Sequence, residues 1–171
     1  MDITSYLLGK NASGGGSKDE YNVFATVPEE YAGALTLTNS IEKVGTFDTS
    51  LIQNMSNMFG GCRYLKTVEL LDTKNVTSFS RMFYNCTNIE NIPQFDTTSV
   101  TDFSSMFGNI GSKLTDTSLN NILGMCINAV SYTGTKTLAA LSLAENRAPK
   151  ARLETLSNYQ AFLDAGWTIG Y

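Results

Sequence analysis

Asp48-Thr49, Asp72-Thr73 and Asp96-Thr97 stand 24 residues apart, and Met58-Phe59, Met82-Phe83 and Met106-Phe107 keep the same interval. A spacing held twice without slippage marks an internally repeated chain and dictates how such a chain folds. One short unit has nothing to pack its own apolar face on, so copies must stack and shield one another. The apolar residues obey the same rule: Ile41, Val44 and Phe47 precede Leu65, Val68 and Leu71, which precede Ile89, Ile92 and Phe95 by 24 residues each time.

The period changes inside each unit. Phe79, Met82, Phe83 and Cys86 fall at i, i+3, i+4 and i+7, and Met55, Met58, Phe59 and Cys62 repeat that pattern. It predicts a helix of two to three turns. "LKTVELL" and "IENIPQF" carry apolar and β-branched residues at strand-like intervals, and "YNVFATV" and "ALTLTNSIEKVGTF" alternate in the same way. The Asp side chain before each Thr is suited to bonding nearby amides and turning the chain. The fold class expected is α/β, with about three 24-residue strand-turn-helix units extending one parallel sheet.

Residues 1–19 divide into a short helical stretch and the linker "NASGGGS", whose glycines and small polar neighbours bury too little to order themselves. The remainder, 20–171, reads as one domain: an amino-terminal cap over 20–47, repeats over 48–114 and a carboxy-terminal cap over 115–171. The third unit slips by one residue in "GNIGSKL", with Ile110 where Cys62 and Cys86 stood. Beyond it, "SLNNILGMC" has a helical pattern, and Leu153, Leu156, Tyr159, Phe162 and Leu163 mark a second helix ended by Gly166.

Composition removes several function classes. A hydrophobic share of 42% is too high for a mainly disordered chain. Twelve basic against sixteen acidic residues give a net charge of −4 without any basic run, which argues against nucleic acid as a partner. No histidine is present, so imidazole zinc sites and Ser-His or Cys-His dyads are excluded. "MDITSYLLGK" does not read as a signal peptide and no segment reads as a membrane span, so the expected location is host cytoplasm or a phage particle, with no membrane partner.

No residue is assigned a catalytic role, and no metal or cofactor is expected. Ser and Lys residues do not fall into a nucleophile elbow, Ser-x-x-Lys or phosphate-loop setting. The Met-Phe pairs and Cys62 and Cys86 read as core, and Asp48, Asp72 and Asp96 as turn formers rather than a calcium ladder. Two surfaces remain. Strand alternation turns Lys43, Thr67, Glu69, Asn91 and Gln94 outward, a face on which a repeat protein can grip another protein. Ile3, Tyr6, Leu7 and Leu8 lie in a short apolar segment, with Ile3 and Leu7 on one helical stripe, that is marginal alone in water, so it frays, folds back on its own domain or docks on another protein.

"FDTSLIQNMSNMFGGC", "LDTKNVTSFSRMFYNC" and "FDTTSVTDFSSMF" closely resemble the bacterial BspA-type leucine-rich repeats over roughly residues 41–114. That resemblance implies a leucine-rich-repeat solenoid in a non-enzymatic interaction module. "LSNYQAFLDAGWTIGY" resembles endings of such proteins in Firmicutes and their prophages, and "DITSYLLGK" resembles the start of phage structural proteins from the same bacteria. The function expected is protein binding, with a phage structural protein or a host surface protein as partner and the amino-terminal segment as tether. The alternatives are a phage-encoded inhibitor that covers a host defence protein such as a nuclease, and an enzyme of unrecognised type.

Overall fold

A computed structural model describes residues 42–46 and 48–171. The expected docking segment, the linker and most of the expected amino-terminal cap lie outside these residues.

Among the described residues the chain forms two short parallel strands, β1 (Lys43–Val44) and β2 (Thr67–Val68), and three α-helices. The helices are α1 (Asp116–Asn128), α2 (Lys150–Leu153) and α3 (Tyr159–Asp164), with a 3-10 turn at Leu138–Leu141 between the first two. This is a small mixed fold. The expected leucine-rich-repeat solenoid of strand-turn-helix units is not formed: every helix among the described residues follows residue 115, and residues 55–62, 79–86 and 103–110 are turns.

Left-handed backbone explains why the helical spacing fails to give helices. Asn57, Arg81 and Ser105 have φ of 58°, 55° and 55°, and four residues further on Gly61, Asn85 and Asn109 have φ of 81°, 62° and 55°. An α-helix cannot pass through such residues. Every second amide therefore closes a local turn, as in Met58 N–H to the Met55 carbonyl at 3.1 Å and Cys62 N–H to Phe59 at 3.0 Å. The alternate amides point to the next segment. Met55, Asn57, Phe59 and Gly61 donate to the carbonyls of Ser78, Ser80, Met82 and Tyr84 at 2.7–3.0 Å, and Phe79, Arg81, Phe83 and Asn85 donate to Asp102, Ser104, Met106 and Gly108 at 2.9 Å. The i, i+3, i+4 spacing still directs one set of side chains inward, because successive turns of this kind also return to the same side every three to four residues.

The 24-residue interval thus appears as register between layers. Lys43 pairs with Thr67 and Thr67 with Asn91, while Asn54 pairs with Ser78 and Ser78 with Asp102, all in parallel. Met58, Met82 and Met106 are fully buried one above another, as are Phe59, Phe83 and Phe107, whose rings stack with centroids 5.3 and 6.0 Å apart. Asp48, Asp72 and Asp96 each accept the amide two residues on, at 2.9–3.2 Å, which is the turn role expected of them. The following threonines do something else. Thr49, Thr73 and Thr97 are buried, and their hydroxyls donate to the carbonyls of Asp72, Asp96 and Met125 at 2.6–2.9 Å, tying each layer to the next.

The one-residue slip is seen in the interior. Leu114 rather than Lys113 is buried. Gly111 runs so close to Thr87 that a Cβ there would stand 1.9 Å from its carbonyl oxygen. After the slip, Thr115 caps α1 by accepting the Ser118 amide. The helix then closes the strand edge with side chains: the Ser118 hydroxyl accepts from Ile92 N–H at 2.9 Å and donates to the Glu90 carbonyl at 2.8 Å, and Asn121 Nδ2 donates to the Ile92 carbonyl. The expected second helix is broken into α2 and α3, with Gly166 ending α3 at φ 83° as predicted. Phe103, Tyr132, Trp167 and Phe162 carry the aromatic column from the repeats into this region.

Two substitutions test this account by chemical denaturation. Asn57 is exposed in left-handed backbone, so Asn57→Ala is expected to cost about 1 kcal/mol while Asn57→Gly stays within about 0.5 kcal/mol of the parent. Equal effects would contradict the conformational cause. Ser118→Ala strips the Ile92 amide and Glu90 carbonyl of a buried partner and is expected to cost about 1–3 kcal/mol.

Candidate interaction surface

The expected strand face forms only in part. Lys43, Thr67 and Asn91 line up across the register, and Asn91 Nδ2 donates to Thr67 Oγ1 at 3.3 Å. Thr115 continues the line with its hydroxyl 3.4 Å from Asn91 Oδ1. Glu69 joins through an ion pair with Lys43 at 3.4 Å, and beside them Lys66 pairs with Glu42 at 2.7 Å. Gln94 is exposed but lies elsewhere, its amide packed where a Cβ on Gly124 of α1 would stand.

These charges are solvated, so the pairs add little to stability and fix orientation more than energy. The face is therefore a mixed-charge strip. Leu70, 57% exposed, sits directly beside Glu69 and was not foreseen. Alternation from Val68 puts Leu70 inside; the strand ends at Val68, and the chain turns before alternation can act. Thr115 was also missed: it stands 24 residues after Asn91, in register with the strip, but falls in the stretch read as carboxy-terminal cap.

The other candidate residues behave as interior or turn groups. Cys62, Cys86 and Cys126 are buried thiols outside any disulfide. Burial pushes the Cys62 thiol up to about 11 and raises those of Cys86 and Cys126 further. Such thiols are poor nucleophiles and poor soft-metal ligands. The Asp96 carboxyl is held below its ordinary range by the Thr98 hydroxyl and then the Thr98 amide. For Asp102, burial pushes upward but is outweighed by hydrogen bonds from Ser104 and Ser78. Among the described residues no group of three or more His, Cys, Asp or Glu is placed to hold a metal ion, and no helix is long and apolar enough to cross a membrane.

The arrangement defines a small mixed fold whose layers pair in a 24-residue register. A family model described as "Mycoplasma protein of unknown function, DUF285" matches residues 29–129, more than half of the 171-residue chain, and the chain belongs to that family. Neither the curated proteins nor the solved structures contain a match.

The raised thiols have a direct consequence for pH. The unfolded chain ionises Cys62 near 9.0 and the folded chain near 11, so stability conferred by the neutral thiol is complete below 9 and falls as pH rises through that window. Alkylation at pH 8 is expected to be at least about tenfold slower in the native protein than in denaturant. Matching rates, read by mass spectrometry, would contradict the burial.

Proposed function

We propose that this protein is a non-enzymatic protein-binding module of the BspA-like kind, working on a phage or prophage particle or against a host surface, and tethered through its amino-terminal segment. The in-register line of Lys43, Thr67 and Asn91, flanked by Glu69 and the exposed Leu70, carries the reading. Repeated backbone sets the spacing while each layer contributes a different side chain, which is how stacked repeats present a variable face on a constant interior. Charged and polar groups fixed this way favour one partner over others more than they add raw affinity. An apolar side chain next to them supplies the desolvated contact that an interface core needs. The resemblance of both flanks to phage-associated sequences supports the setting, and residues Ile3, Tyr6, Leu7 and Leu8 are the tether in this reading.

Full-length protein carrying Lys43→Glu together with Glu69→Lys keeps an ion pair while inverting the pattern of the strip. Compared with the parent by quantitative co-purification from prophage-induced host cells, it is expected to lose its principal partner by about tenfold. Deletion of residues 1–10 is expected to release the protein from the particle while leaving that partner bound. Unchanged recovery in the charge-swapped protein would overturn the assignment of this face, and unchanged particle association after the deletion would overturn the tether.

A further inference from the structure

A second site lies away from the strand strip, in a cleft of about 400 Å³ between the third layer and the segment that follows the 3-10 turn. Its polar lining comes from Ser105, Asn109, Ser142, Asn146 and Arg147, with Tyr84 as one wall. That volume suits a small ligand rather than a stretch of folded partner.

Arg147 is the unusual group here. Lys74, Lys150 and Arg152 are paired with carboxylates, Arg81 sits over the Tyr84 ring, and Lys113 and Lys136 donate to oxygen atoms. Arg63 has no such contact among the described residues but is exposed. Arg147 is half-buried, and its side chain makes no ion pair, hydrogen bond or ring contact among the described residues. A guanidinium that has given up part of its hydration without an anionic partner is poised to take one, and its planar fork fits a carboxylate through two bonds. Among the described residues no carboxylate lines the cleft, so none of them competes there for that fork.

The groups around Arg147 narrow the ligand. Ser105, Ser142 and Asn146 have side chains without hydrogen bonds among the described residues, and Asn109 spends only one long contact, 3.4 Å, on the Tyr84 hydroxyl. A bare carboxylate, or the end of an acidic peptide side chain, would satisfy Arg147 and leave these groups unused. Hydroxyls and amides that both donate and accept match neighbouring hydroxyls on a ring. We infer that the cleft binds an acidic sugar, a hexuronic or sialic acid residue, with its carboxylate on Arg147 and its hydroxyls on Ser105, Ser142 and Asn146.

The test uses the full chain, titrated separately with glucuronic acid, N-acetylneuraminic acid, glucose and a short acidic peptide to about 10 mM, and followed by amide NMR; single-sugar sites are commonly millimolar. Expected are saturable shifts at Ser105, Ser142 and Arg147 with at least one acidic sugar, and at least about tenfold weaker binding of glucose and of the peptide. Arg147→Met is expected to weaken the acidic sugar by about tenfold or more, with Arg147→Lys in between. Ser142 has φ 59°, so Ser142→Gly removes a hydroxyl while relaxing the backbone; it is expected to weaken binding severalfold in a protein at least as stable as the parent. Absence of saturable shifts with both acids, equal binding of glucose, tighter binding of the peptide, or full affinity in a folded Arg147→Met protein would each overturn the inference.

Discussion

The alternate amides of the turn segments hold this structure together. Met55, Asn57, Phe59 and Gly61 face the next layer instead of their own carbonyls four residues back, because left-handed residues stop the chain from winding into a helix. Each inter-layer bond is individually modest, but an unmade one in so dry an interior would leave a buried polar group without a partner. The stacking of Met and Phe keeps the same register as that backbone ladder. The buried threonines add to it: Thr49 and Thr73 take the carbonyl of the next layer, and Thr97 takes the carbonyl of Met125 in α1.

Much of the interior was legible from residue spacing alone. Met58, Met82, Met106 and their Phe neighbours repeat at a fixed interval, and a fixed interval between apolar residues can be met only by a stacked interior. The secondary structure was not legible in the same way. Spacings of three and four are shared by an α-helix and by successive turns with a left-handed residue every fourth position, and Arg81 and Ser105 carry no sign that they will adopt that conformation. Asn57, Gly61, Asn85 and Asn109 did carry one, since Asn and Gly are the residues that tolerate it. Taken together, those four positions argue for turns against helices.

The surface was harder to read. Lys43, Thr67, Glu69 and Asn91 were found by strand alternation, but that rule reaches only as far as the strands, which are two residues each. Past Val68 it misplaces Leu70; Gln94 is exposed as expected, but its amide packs beside Gly124 of α1 rather than joining the strip. The Arg147 cleft was invisible because its walls come from residues 84, 105–110 and 142–147, brought together by the bond from the Phe107 amide to the Leu141 carbonyl. No local pattern encodes such a meeting.

The helix that follows Thr115 also has a bearing on self-association. Parallel layers with spare amides and carbonyls are templates on which further chains add, end upon end, into fibres. Here Ser118 and Asn121 of α1 occupy the amide and carbonyl of Ile92 and the carbonyl of Glu90 at the last layer, with a helix that itself offers no strand to copy. The main-chain groups of Glu90 and Ile92 at that edge are thereby occupied within the chain, and a further strand adding there would have to displace α1.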